Sequence, residues 1–183
     1  MRLLIDACVL YPTVPRALIL GLAQTGWAEV RWSARILEEW RRAVLRQHPE
    51  QAGQVTREIA SLQALFPGAE VAPDAAVESG LSLPDDNDRH VLAAALAAQA
   101  SDLVTFNLRD FPGRTLARHS LRPRHPDELL LEALDDRPKQ VTQLAQQIVA
   151  PLCTGPVTPA DLRRILKKAR LPRLGKALAA RGS

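Results

Sequence analysis

Residues 2–9 read Arg-Leu-Leu-Ile-Asp-Ala-Cys-Val (RLLIDACV), an apolar run interrupted by one carboxylate. A run with no polar alternation reads as a central strand covered on both faces. Asp6 follows three apolar residues, where a charge is costly unless it is paired or ligated. We therefore read Asp6 as functional, placed where the strand Leu3-Leu4-Ile5 closes.

Working outward, Thr13 is expected to cap a helix from about Pro15 to Gly26, and Glu29–Trp32 reads as a short strand. Ser33 caps the next helix, whose apolar positions Ile36, Leu37, Trp40, Val44 and Leu45 keep helical spacing to about Gln47. Another helix is expected over Glu50–Leu65. A looser stretch, Ala69–Pro84, leads to an Ala-rich helix over Asn87–Ala100, and Asp102–Phe106 (DLVTF) reads as a further buried strand. Trp27, Trp32 and Trp40 fall among apolar neighbours and are read as core anchors. Strands alternating with helices predict an α/β fold with a central parallel sheet flanked by helices.

Beyond Pro112-Gly113 the character changes. An arginine-rich connection (Arg114, Arg118, Arg122, Arg124) precedes helices expected at Pro126–Leu134, Pro138–Ala150, Thr158–Ala169 and from Pro172. The domain division is therefore drawn as 1–124 and an all-helical extension, 125–183. Residues 1–113 carry 10 Lys/Arg against 14 Asp/Glu, and residues 114–183 carry 14 against 6. An acidic site and a basic surface in one chain suit an enzyme acting on a polyanion, although a solvated basic tail has the same composition. The 183 residues with 46% hydrophobic content suffice for one good core. No run reaches membrane-spanning length, and the N-terminus lacks signal-peptide character, so a soluble, cytoplasmic protein is expected. Cys8 and Cys153 lie far apart, which indicates neither a zinc site nor a disulfide framework.

Functional groups of an open parallel sheet collect at the carboxyl ends of its strands, where Asp6 and Asn107 both fall. Asp6, Glu39, Asp85 and Asp88 together could hold a Mg²⁺ or Mn²⁺ ion, which needs at least two carboxylates and open positions for water and a phosphate oxygen. Taken singly, Glu38 and Glu39 read as surface glutamates, Asp85 and Asp86 as turn caps, Asp102 as a strand start and His90 as a half-buried packing side chain.

Four strings stand in order: LLIDACVLYP (3–12), SARILEEWRRAVL (33–45), LPDDNDRHVLAAAL (83–96) and DLVTFNLRDFP (102–112). Together they resemble the PIN-domain family, and most closely its VapC-type ribonuclease toxins of toxin-antitoxin systems, in a subgroup with a helical C-terminal extension. The likeness is strong over residues 1–125 and weaker from Pro126 to Leu178. It implies a PIN-like domain with Asp6, Glu39 and Asp88 as the catalytic acids. Asp85 is an additional metal ligand, and Asn107 stands where the wider family often has aspartate. An amide there adds no negative charge, which weakens the case for a second ion; Asp110 is close enough to assist. The implied chemistry is metal-dependent hydrolysis of RNA to 5′-phosphate and 3′-hydroxyl ends, with Arg89, Arg109, Arg114 and Arg118 holding the backbone. Implied partners are RNA, a VapB-type antitoxin and a second copy of the chain.

Other readings are a degenerate PIN domain that binds RNA or a protein without cutting, and a PIN nuclease of RNA processing outside any toxin pair. A haloacid-dehalogenase-type fold would require a second aspartate two residues after Asp6, where this chain has Cys8. A receiver domain would need Thr and Lys partners that have no place here.

Overall fold

In the computed structural model, which describes residues 1–181, Leu3, Leu4 and Ile5 are fully buried. Their strand is covered on both edges as well as both faces. Strands β1 (Arg2–Ile5), β2 (Glu29–Ser33), β3 (Glu70–Val71), β4 (Asp102–Val104) and β5 (Arg122–Arg124) form a parallel sheet in the order β3-β2-β1-β4-β5. Leu3 stands opposite Val30 on one side and Asp102 on the other, and Ile5 stands opposite Val104. The parallel α/β architecture expected from the sequence is the one the chain forms.

The first strand is shorter than its apolar run. The side chain of Asp6 accepts from Cys8 N at 3.4 Å, and its carbonyl accepts from Val9 N at 2.9 Å, which starts the short helix α1 (Ala7–Leu10). An N-capping aspartate thus overrides the strand preference of Cys8 and Val9. Helix α2 begins at Thr13, with Pro12 rather than Thr13 at its cap, and runs to Gln24. Helix α3 (Ala34–Gln47) starts as expected, Ser33 accepting from Ile36 N at 3.3 Å. A 3₁₀ turn at Pro49–Gln51 precedes α4 (Ala52–Leu65).

The stretch read as loose holds two elements, β3 and helix α5 (Ala75–Gly80), the latter capped by Asp74. Helix α6 spans only Arg89–Ala97 and follows a 3₁₀ turn at Asp86–Asp88. It packs on β1, β2 and β4. The arginine-rich connection likewise contains helix α7 (Gly113–Ala117) and β5. Strand β5 reads Arg-Pro-Arg, and its proline is tolerable because the strand lies at a sheet edge. Its pairing is reinforced by charge: the wholly buried Asp102 lies 2.9 Å from an Arg122 nitrogen and 3.5 Å from one of Arg124.

The chain divides into two compact units, residues 1–11 with 28–124, and residues 12–27 with 125–183. The first contains the sheet. The second comprises α2 with α8 (Pro126–Asp136), α9 (Pro138–Val149), α10 (Pro159–Lys168) and α11 (Pro172–Arg181). Helix α2 thus belongs with helices more than a hundred residues later, although a division by chain order groups it with the sheet. The reason is a close approach: a Cβ added at Gly21 would fall 2.7 Å from Leu144 Cδ1. Trp32 and Trp40 are core residues of the first unit, but Trp27 is only partly buried and donates to Asp136 Oδ2 at 3.0 Å. Among the described residues no helix is long and apolar enough to cross a membrane.

In the helical unit, α10 opens with a reciprocal capping box between Thr158 and Asp161. The start of α11 is held from a distance. Asp127, 3% exposed, accepts from the backbone N–H groups of Arg173 and Leu174, both at 2.9 Å. A buried carboxylate on a helix N-terminus is favoured by both hydrogen bonding and the helix dipole. Asp127→Ala should therefore lower unfolding stability by about 2–3 kcal/mol, read by chemical denaturation monitored through far-UV circular dichroism; a loss below about 0.5 kcal/mol would show that water replaces the carboxylate.

Candidate active site

Strand β1 lies at the centre of the sheet, and the chain leaves it for β2 on one side and reaches β4 on the other. Strand order reverses here, so a crevice forms at the carboxyl ends of β1 and β4. Asp6 follows β1 directly and Thr105 follows β4. The two are joined: Thr105 Oγ1 donates to Asp6 Oδ2 at 2.6 Å, and Asp6 N donates to Val104 O at 3.1 Å. Cys8 Sγ also donates to Asp6 Oδ2, at 3.0 Å, and accepts from Phe106 N at 3.3 Å. Burial, and then the charge of Asp6, pushes the Cys8 thiol up to about 12. Cys8 is therefore a protonated donor at neutral pH and not a nucleophile.

With Oδ2 receiving two side-chain donors, Asp6 Oδ1 has, among the described residues, only the long contact from Cys8 N. Asp6 is 8% exposed and thus held in one orientation.

Three further acids converge. Carboxylate oxygens of Asp85, Asp88 and Asp110 lie within 4.8 Å of one another. Asp85 precedes the 3₁₀ turn and accepts from Asn87 N at 2.9 Å. Asp88 is half-buried at the start of α6. Desolvation, followed by the charges of Asp6, Asp85 and Asp110, raises its pKa to about 6. Such crowding is unfavourable in an isolated protein and is what a bound hard cation relieves. Asp110 reaches the group from the loop after β4, where Asn107 Nδ2 donates to its carboxylate. Asn107 N in turn donates to Thr105 Oγ1 at 3.0 Å.

The acids expected from the sequence therefore separate into two sets. Asp85, Asp88 and Asp110 form the tight group, and Asp6 acts on Asp88 from its anchored position. Glu39 lies outside that group: its Oε1 is 2.8 Å from His90 Nε2 and 3.7 Å from Arg35 Nε. Glu38, no more exposed than Glu39, is held down to about 2 by hydrogen bonds from Arg41 and Arg42. His90 is buried, at 2% exposed, not half-buried, and its role is to meet Glu39. The His90 Nδ1 atom has no hydrogen-bond partner among the described residues. Of the arginines, Arg89 is engaged by Asp86, while Arg109, Arg114 and Arg118 are exposed.

Cys8, Thr105 and His90 were not assigned to the site from sequence. For Cys8 and Thr105 a usable signal existed, since both follow the strands whose ends meet. His90 gave none, because only the packing of α6 beside α3 reveals its partner.

A family model described as "PIN domain" matches residues 2–109. Among curated proteins, the chain is 37% identical over 75 residues to "Putative ribonuclease VapC50" of Mycobacterium tuberculosis. That alignment covers 41% of this chain and 44% of the relative. No solved structure matches.

The crowding at Asp88 has a thermodynamic sign. Its folded-state pKa lies above the ordinary 3.8, so between pH 4 and 6 the folded state binds more protons than the unfolded, and stability falls as pH rises through that window. Removing the charge should reverse this. In metal-free buffer Asp88→Asn should raise the thermal midpoint by about 2–4 °C at pH 7.5, after allowance for screening of a half-exposed group, with the gain gone at pH 4. An equal effect at both pH values would mean that the folded state does not disfavour the charged form of Asp88.

Proposed function

The chain belongs to the PIN-domain family, and from that premise we propose that it is a Mg²⁺- or Mn²⁺-dependent endoribonuclease, the toxin of a toxin-antitoxin pair. The observation that carries this reading is the convergence of Asp85, Asp88 and Asp110 within 4.8 Å of one another, at a place where burial first, and then the charges of Asp6, Asp85 and Asp110, raise Asp88 to about 6. Four carboxylates would repel a phosphodiester unless their charge were offset. An all-oxygen donor set of this kind suits a hard divalent ion.

Asp85, Asp88 and Asp110 would hold the ion, with Asp6 adding its charge beside Asp88. When bound, such an ion lowers the pKa of water and offsets charge on the phosphate. The remaining work falls to the chain. Thr105 and Cys8 keep Asp6 from rotating, and Asn107 does the same for Asp110. His90 holds Glu39, the second family acid, in a fixed orientation, from which it would bind through water or accept a proton from it. Arg109, Arg114 and Arg118 would grip the RNA backbone, which provides affinity with little sequence information. Arg89, already paired with Asp86, would contribute less.

The relative's name supports a ribonuclease, and its type of name supports a protein antitoxin as inhibitor. An antitoxin segment entering this site would carry a cation, arginine above all, for the same reason that a metal ion suits it. A homodimer and a cytoplasmic location complete the reading. On the same family grounds, the nuclease domain is proposed within residues 1–124.

The test is cleavage of a pool of structured RNAs by wild type, Asp6→Ala and Asp88→Ala, each with Mg²⁺, Mn²⁺ or EDTA. Wild type should cut with either ion and leave 5′-phosphates, and each variant should lose about 100-fold or more. Metal binding by wild type with no cutting of any RNA would instead favour the non-catalytic PIN reading.

A further inference from the structure

The helical unit carries a concentration of charge that the acidic site does not use. Residues 159–181 hold eight Lys/Arg and one acid, Asp161. Asp161 is already committed, accepting from Thr158 and Arg164, which keeps it down to about 2. On α10 the apolar residues Leu162, Ile165 and Leu166 face inward, which leaves Arg163, Arg164, Lys167 and Lys168 exposed as two rows at i, i+4 spacing. Like charges in such rows repel by a few tenths of a kcal/mol per pair in the free helix. They are better suited to a polyanion than to the helix itself.

The turn into α11 gathers these charges. Lys167, Arg170 and Arg173 line one open cleft of about 510 Å³ with His125 and Pro172. The two acids of this cleft do not cancel them equally. Asp127 at its base has both oxygens occupied by the backbone of α11, and only Glu128 is exposed. Lys167 and Arg173 have no ion-pair partner among the described residues. Arg170 has a φ of +64°, in the left-handed region where glycine is favoured. A glycine would close α10 with less strain, yet an arginine occupies the position and contributes to the cleft's lining. Strain retained at a charged residue is grounds for a functional reading.

We propose that this face, built from Lys167, Arg170 and Arg173 with the α10 rows beside them, is an RNA-backbone binding surface of the helical unit. The inference rests on the ribonuclease reading for its choice of ligand. Two observations favour nucleic acid over a protein partner. None of the large exposed hydrophobic side chains of the described residues lies between 159 and 181, whereas protein interfaces have an apolar or aromatic core and are depleted in lysine. Dispersed exposed cations with no apolar centre are instead the footprint of phosphate contacts.

The experiment measures RNA affinity without cutting, by fluorescence anisotropy with a labelled structured RNA in EDTA, using the full chain across a salt series. Lys167→Gln/Arg173→Gln should weaken binding at least about tenfold at 100 mM salt and flatten the slope of log K against log salt by about 1.5, as two lost phosphate contacts require. Arg170→Gly should also weaken binding while its thermal midpoint holds or rises, which separates loss of charge from loss of fold. Wild-type affinity and slope in these variants would overturn the proposal, as would equally tight binding of poly-glutamate of matched charge. Because no cleavage is read, failure of the nuclease reading would leave this result intact, and failure here would leave the cleavage assay untouched.

Discussion

A carboxylate held at the central strand of a buried parallel sheet is the constraint around which the first unit is arranged. Asp6 is almost wholly removed from solvent there, so it must be hydrogen-bonded, and the donors come from the neighbouring strand end and from the turn that follows Asp6 itself. Thr105 and Cys8 supply them. Because Thr105 Oγ1 also accepts from Asn107 N, the bond that satisfies Asp6 sets the path of the chain after β4. That path delivers Asn107 and Asp110 to the acids before α6. Sheet register, loop geometry and acidic group are therefore consequences of one another: slipping β4 by a residue would leave Asp6 without its hydroxyl and remove Asp110 from Asp88.

The site also shows which interactions are tolerated at a cost. Asp102 is as buried as any residue in the molecule and is neutralised by Arg122 and Arg124. Asp88 has no such arginine among the described residues, and burial followed by the neighbouring carboxylates raises it instead. The two aspartates lie in one unit, so their contrast is not a matter of general composition. A paired buried acid stabilises pairing of β4 with β5, whereas an acid surrounded by acids is suited to a positively charged ligand, as the proposed metal would be. A related contrast separates Glu38, held by Arg41 and Arg42, from Glu39, whose nearest partner is the buried His90, with Arg35 farther off.

Much of this could be read in the sequence where a local rule was sufficient. The buried run before Asp6, the Ser33 cap and the capping box at Thr158 each carry their own structural instruction, and the corresponding elements occur. Short elements escaped notice because their stability is not local. Strand β3 has two residues and β5 contains a proline; both exist because an adjoining strand offers an unpaired edge. The strand closes at Asp6 as read, but the apolar residues beyond it, Ala7 to Val9, form a helix instead of continuing the run, because a single capping side chain turns the chain there. The grouping of α2 with α8 and α9 was likewise illegible, because Gly21 and Leu144 meet only after folding. At the site, the sequence offered candidate acids but not the distant residues that meet them, Thr105 for Asp6 and His90 for Glu39.

Asn107 illustrates how a departure from a family pattern can mislead when it is read at one position. Counted alone, an amide in place of an aspartate removes a negative charge from the site. In the structure its Nδ2 donates to Asp110, an orientation an aspartate at 107 could not provide, because two carboxylates so placed would repel. The charge missing at 107 is therefore present three residues later, on the same loop and within 4.8 Å of the carboxylates of Asp85 and Asp88. Charge at this end of the sheet is then a property of the loop rather than of a single position, and the acid count relevant to cation binding is the one that geometry collects around Asp88.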